Sequence, residues 1–332
     1  MTTAAILTGL AGVLASAAPI VFATIGETLT ERAGVINLSV NGTIVFSAMT
    51  SFAVAVTTDS IWLGFLAGML TGALVALVLA FTSLTLKQSQ VAVGYVLALM
   101  TLSLAYFLGN PFVGIQGPRV PSLPIPLLSG IPIVGPLFFN QNALVYISFV
   151  LIFAAWFWVF RTRPGLMLRG IGERPAAAFV RGANVPLMRY TYTMIGGALV
   201  GLAGPTFSLS VKAGWKGTIS GLDGFGWIAL ALVIFGGWDP IRGAVGAYLF
   251  GLLQWLGVVL QPSLPNVPSQ VLQVAPFPLM ILTLLLVNIG NADWVDRTLA
   301  GLPPDARRVA ASVLRSMRVS PPAALGTTFE KD

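Results

Sequence analysis

Apolar residues run through this chain in blocks of about 20, the length an α-helix needs to cross roughly 30 Å of hydrocarbon, separated by shorter polar intervals. Nine spans are read, at approximately 4–25, 39–57, 61–85, 91–109, 143–160, 191–209, 225–238, 242–261 and 273–290. The seventh is short, which suits a tilted, re-entrant or broken helix, and counts of eight to ten fit the same pattern. The fold expected is therefore all-α, a polytopic transmembrane helical bundle. Residues 1–290 form the membrane domain, a polar loop at 161–190 interrupts it, and residues 291–332 form a tail.

Composition strengthens that reading. The chain has 332 residues, 56% of them hydrophobic and 9% charged, with a mean hydropathy of +0.88. A soluble domain of this length would need more charge to cover its surface. With no cysteine and no histidine, disulfides, thiol nucleophiles, haem ligation, Cys/His zinc sites and histidine bases are excluded. No metal site and no catalytic residue is expected. The lysines, Lys87, Lys212, Lys216 and Lys331, do not stand in a phosphate-loop frame, so the chain does not hydrolyse ATP through that motif. The first apolar stretch lacks a basic leader and continues to Thr24, as in a retained span.

The arginines decide orientation. Arg161, Arg163, Arg169, Arg174, Arg181 and Arg189 crowd one interval, and Arg297, Arg307, Arg308, Arg315 and Arg318 crowd the tail. Basic loops stay on the cytoplasmic side, so both segments are expected there and the amino terminus outside. Here the high pI, about 10.1, reflects orientation and contact with anionic lipid rather than nucleic-acid binding. The Pro-rich interval 110–142 then lies outside, and so does the loop carrying Lys212 and Lys216, against the charge rule. A re-entrant segment near 205–240 would relieve that conflict.

Tryptophans at 62, 156, 158, 238 and 294 fall at span ends, where amphipathic rings anchor in headgroups. Trp227 and Trp255 fall inside spans, where helix packing is the simpler account. Gly64, Gly68 and Gly72, with Gly196, Gly197, Gly201 and Gly204, let helix backbones approach closely. Glu27, Glu31 and Arg32 cluster at the inner end of the first span, where pairing with one another or with the basic loop is expected. From 305 to 319, Val309, Val313, Leu314 and Met317 oppose the arginines, as in a surface-lying helix; the neighbouring prolines equally suit disorder.

Two polar segments open apolar runs in the same way: Glu27 to Ser39 leads to Asn41-Gly42, and Lys212 to Gly221 leads to Asp223-Gly224. These two starts enter from opposite sides, the pattern of an inverted repeat, and paired interruptions of this kind point to a substrate route.

Particular residues carry a family resemblance. Gly26-Glu27, Glu31 to Leu38 and Asn41-Gly42 form one group, and Gln90 to Gly94 another. Leu168 to Ala178, Arg181 to Val185, Gly196 to Gly204, Gly224 to Gly236 and Trp238-Asp239-Pro240 continue the pattern. Together they resemble permease subunits of ABC importers for nucleosides and simple sugars, within the group that includes ribose and branched-chain amino acid permeases. The resemblance implies a type II-like importer permease in a bacterial inner (plasma) membrane. It also implies ABC ATPase subunits that bind ATP and Mg, a second permease subunit, identical or not, met through small-residue faces, and an extracytoplasmic solute-binding protein. No cofactor is expected on this chain itself.

By the same resemblance, Gly172, Glu173, Arg174, Ala177, Ala178, Phe179 and Arg181 take the coupling role toward the ATPase. Alanines and Phe179 after Pro175 form a small apolar face suited to a partner groove. The substrate path is expected at Asn37, Ser39, Asn41, Asp223, Phe225 and Trp227. Two positions depart from the family pattern: Asn41 replaces an acid, and an asparagine is lost within Tyr95 to Leu99. An amide at 41 suits a neutral polar solute without an intramembrane charge. Helix capping fits Ser39 and Asn41 equally well. The alternatives are a secondary carrier driven by an ion gradient, or an ABC permease for a simple sugar or a branched-chain amino acid.

Overall fold

The computed structural model describes residues 3–263, 271, 278 and 320–329. Among them, ten α-helices follow in order: α1 (Thr3–Arg32), α2 (Val40–Thr58), α3 (Ile61–Ala80), α4 (Gln90–Gly109), α5 (Ala143–Arg161), α6 (Arg163–Glu173), α7 (Pro175–Val180), α8 (Val185–Thr206), α9 (Phe225–Gly236) and α10 (Pro240–Leu260). The described residues form no strand, only isolated bridges from Val113 to Trp215 and from Ser122 to Asn142. Seven helices, α1 to α5, α8 and α10, are long and apolar enough to cross a bilayer. The expected span 273–290, Trp294 and the 305–319 segment lie outside the described residues.

At the centre stands α8, packed against α1, α2 and α3. Glycine makes this possible. A Cβ on Gly72 would strike the Gly197 carbonyl and the Gly201 backbone, and one on Gly26 would strike the Gly196 carbonyl. Close backbone approach of this kind is how helices associate where apolar burial gives no net drive. The glycines read from the sequence at 64, 68, 72, 196, 197, 201 and 204 thus serve packing within the chain. Around α2, Phe22, Ile44, Phe52, Phe207 and Trp215 fill one continuous apolar core.

Contacts sort the loops onto two ends. At one end, Thr85 meets Tyr190 at 2.5 Å and the Ile36 amide donates to Gln90 Oε1 at 2.8 Å. Gly172 also abuts the Arg32 carbonyl there. At the other end, Val120 N–H donates to the Leu209 carbonyl at 2.8 Å, and Asn142 Nδ2 donates to Ser210 Oγ at 2.8 Å. The interval carrying Lys212 and Lys216 therefore shares an end with the Pro-rich loop, opposite α6 and α7, as the order of spans implied and against the charge rule.

Two crossings are broken. From Arg32 the chain rises without helix through residues 33–39 before α2 begins, and α9 holds only 12 residues, about 18 Å of helix. The seventh expected span is thus a half-helix. Its first turn abuts the first turn of α2: a Cβ on Gly226 would collide with the Asn41 backbone. From this junction α2 runs toward the Thr58 end, while α9 runs toward Arg32, near which Trp238 follows it.

Candidate functional site

The junction is held by one side chain. Asn41 Oδ1 accepts from Gly224 N–H at 2.8 Å and from Gly226 N–H at 3.3 Å, while its Nδ2 donates to Asp223 Oδ1 at 2.7 Å. Gly224, which starts α9 in the left-handed region at φ 98°, offers no side-chain cap of its own. Asn41 therefore caps not its own helix but its neighbour's, a long-range version of N-cap chemistry. Ser39 stands at the cap position of α2 and makes no capping bond; its Oγ donates to Asn37 Oδ1 at 2.5 Å.

Beneath this layer lies a second one. Asn37 donates to Glu27 from its main-chain N–H at 3.3 Å and from Nδ2 at 3.2 Å. Asn37 and Ser39 are each only 1% exposed and brace the break through these bonds. Of the residues expected at the solute, the fold brings Asn41, Asp223, Phe225 and Trp227 together and sets Asn37 and Ser39 behind them. Phe225 packs edge-on to Phe207 and Phe250. Trp227 is 38% exposed and faces Tyr95, itself 50% exposed, with ring centroids 6.4 Å apart. The packing account of Trp227 is therefore incomplete. Tyr95 lies in the interval 95–99 that departs from the family pattern.

The charged cluster on α1 is also rearranged. Glu27 bonds to Asn37, Glu31 accepts from Trp238 Nε1, and Arg32 Nε donates to the Trp238 carbonyl at 3.0 Å. These groups find partners outside the cluster, which lets α1 continue helically to Arg32, beyond the expected end at 25. Trp238 is 4% exposed and so is a buried donor, not a headgroup anchor; Trp62, 82% exposed, fits the anchoring role. Trp255 packs against α1 at Gly9, which has no room for a side chain.

At the same end, α6 and α7 form an exposed elbow. Thr162 caps α6 by accepting from Gly165 N–H at 3.1 Å, Pro164 opens it, and the chain breaks at Arg174 before Pro175 restarts it. Proline at a first helical position costs no hydrogen bond. Gly182, at φ 89°, closes α7. Between the two helices lies a groove of about 450 Å³, lined by Leu166, Met167, Glu173, Arg174, Ala177, Ala178 and Arg181. Gly172 does not join that surface: it is buried against Arg32, where a Cβ would meet the carbonyl. Val180, 86% exposed, and Leu166, 62% exposed, extend the apolar face beyond the residues read from sequence. Phe160 ties the elbow to α1, its ring flanked by the guanidinium carbons of Arg32 at 5.4 Å and Arg169 at 5.3 Å.

Known proteins align with most of this structure. The sequence model of the family described as branched-chain amino acid transport system, permease component, matches residues 9–287. A Haloferax volcanii protein named provisionally as a glucose ABC transporter permease is 37% identical over 262 residues, 75% of this chain and 79% of its own length. The nucleoside ABC transporter permease NupC of Lactococcus lactis is 34% identical over 85% of this chain and 92% of its own. The guanosine ABC transporter permease NupQ of Bacillus subtilis is 35% identical over 84% and 91%. On this match and the helical architecture together, the chain belongs to the permease-component family of branched-chain amino acid-type ABC transport systems.

Proposed function

We propose that this chain is the permease subunit of an ATP-driven importer for a nucleoside or a closely related polar solute. The observation that carries the solute class is the junction itself. There, the exposed Asp223 carboxylate is bonded to Asn41, and four residues further along the chain Trp227 faces Tyr95, both rings partly exposed. A carboxylate accepts hydrogen bonds from ribose hydroxyls or a base edge, and aromatic faces stack on a flat heterocycle. The first turns of α2 and α9 both direct main-chain N–H groups toward this point, and the Asn41 amide satisfies those of α9. Two of the relatives carry nucleoside or guanosine in their names, which agrees with this reading; the glucose name of the third keeps a simple sugar as the second reading.

Transport proceeds by alternating access. Solute arrives from an extracytoplasmic binding protein at the end formed by residues 113–142 and 207–217. It passes the Asn41–Asp223 junction and leaves at the end that carries α6 and α7. That second end is cytoplasmic, because it gathers the arginines of 161–189. Partner ATPase subunits, which bind ATP and Mg, grip the elbow at Glu173, Arg174, Ala177, Ala178, Phe179 and Arg181. A second permease completes the passage. The chain makes and breaks no covalent bond. Initial uptake rates in vesicles containing the assembled transporter, measured against a panel of nucleosides and pentoses, test the assignment. Uptake by the isolated chain without ATPase subunits would reject it in favour of a secondary carrier.

A further inference from the structure

Residues 320–329, distant in sequence from everything they touch, lie across the end that carries α6 and α7. Ala324 N–H donates to the Gly172 carbonyl at 2.8 Å, and Gly326 N–H donates to the Gly34 carbonyl at 3.0 Å. Ala323 N–H donates to Glu173 Oε2 at 3.3 Å, and Arg189 Nη1 donates to the Thr327 carbonyl at 2.6 Å. Phe329 lies against Phe179, with ring centroids 5.6 Å apart. The segment thus bonds at once to α6, α8 and the break before α2, and packs a ring against α7.

Three glycines make the approach possible. Gly34 and Gly326 adopt left-handed φ values of 89° and 77°. A Cβ on Gly34 would press on Arg189 at 2.8 Å, and one on Gly326 would press on Ile36 at 2.8 Å. Gly172 is closed in by Arg32. Such fitted main-chain contact is unlike the loose surface packing expected of a tail end. Arg189 sharpens the point. It is 1% exposed, and among the described residues its Nε and Nη2 have no hydrogen-bond partner, so the bond to Thr327 receives a desolvated guanidinium. The family match ends at 287, which leaves this segment outside the shared permease body.

We propose that residues 320–329 are a strap that makes α6, α7 and the 33–39 break one mechanical body, so that displacement of the elbow is carried to the Asn41–Asp223 junction. The route is short. From Gly34 the chain passes Ile36, bonded to Gln90 on α4, and Asn37, bonded to Glu27 on α1, before Asn41 caps α9. The strap gives the break a second attachment to the elbow beside the direct contact of Gly172 with Arg32. The residues of the strap are positioning residues; they touch no solute. This inference rests on the importer reading above.

The test uses the complete transporter in vesicles, with solute moved per ATP hydrolysed as the readout. A chain ending at Val319 is expected to insert, to co-purify with the ATPase subunits and to hydrolyse ATP, while solute moved per ATP falls about fivefold or more, the scale of a lost main-chain hydrogen bond. Ala324→Pro, which deletes one N–H donor, is expected to act in the same direction, and Ala324→Gly, which keeps it, to retain coupling. An unchanged ratio in Ala324→Pro overturns the proposal, as does an unchanged ratio in the truncated chain. Should truncation prevent assembly, Ala324→Pro alone decides. Failure of the unaltered chain to co-purify with any ATPase would instead strike the importer reading and is read separately.

Discussion

Asn41 and Asp223, 182 residues apart in sequence, meet at 2.7 Å, and the same Asn41 amide accepts from the first N–H groups of α9. One short polar side chain therefore fixes where two broken crossings face each other. Within a membrane every freed main-chain donor must find a partner in the protein. An asparagine can supply an acceptor to the helix start and a donor to the carboxylate at once. A carboxylate at 41 could do only the first.

Exchange of the pair tests that logic. Asn41→Asp sets two carboxylates about 3 Å apart, a spacing at which both cannot stay ionised. Its uptake rate is expected to fall about tenfold, the scale of 1.4 kcal/mol. Adding Asp223→Asn restores the donor–acceptor pair with its polarity reversed, and uptake is expected to recover in part, short of the unaltered chain because the carboxylate at 223 is lost to the solute. A double mutant no better than the single would show that Asp223 acts on solute alone.

Stacking makes a different forecast. Trp227→Ala and Tyr95→Ala each remove one ring from the exposed pair. Base–aromatic stacking is worth about 1–3 kcal/mol, so KM for a nucleoside should rise roughly 5- to 100-fold. Uptake of any transported pentose should change less, because a saturated sugar ring has no π face to stack on the aromatic rings. Equal losses for both solutes would remove the stacking role.

Coupling through the elbow is tested by Glu173→Ala with Arg174→Ala. Both residues line the groove between α6 and α7. Insertion should be intact and ATP hydrolysis should persist, with uptake reduced about tenfold or more. Unchanged coupling in reconstituted vesicles rejects the assignment.

Packing between α3 and α8 has its own test. Gly201→Val forces a side chain against the backbone of Gly68 and Gly72. Overpacking of this kind costs about 1–3 kcal/mol, expected here as a lowered Tm of the detergent-purified chain without any change in solute preference.

Sidedness can be read chemically, because the chain has no cysteine of its own. Val180→Cys, at the exposed end of α7, should react with an impermeant thiol reagent in inside-out vesicles and not in intact cells. Thr58→Cys, at the far end of α2, should do the reverse. Labelling of position 180 from outside would overturn the orientation and the coupling role together.

The chain order alone carried much of this architecture. Blocks of apolar residues about one bilayer long announce helices whatever their partners, since each must satisfy its own main chain. The arginines of 161–189 marked the exposed elbow, and the short run at 225–238 betrayed a broken crossing. Asn41 and Asp223 could be paired as similar interruptions by their order in the chain. Their hydrogen bond could not, because contact across 182 residues depends on how α2 and α9 are brought end to end. The same holds for Trp238, whose position at a span boundary suggests a headgroup anchor until Glu31 is found beside it. The glycine faces of α3 and α8 declared close packing but not the partner, and only the assembled bundle showed each spent on the other. Residues 320–329 show the limit most plainly. Local spacing reports which face of a segment is apolar, whereas a main-chain hydrogen bond from Ala324 to Gly172 leaves no side-chain trace and exists only once the chain has closed on itself.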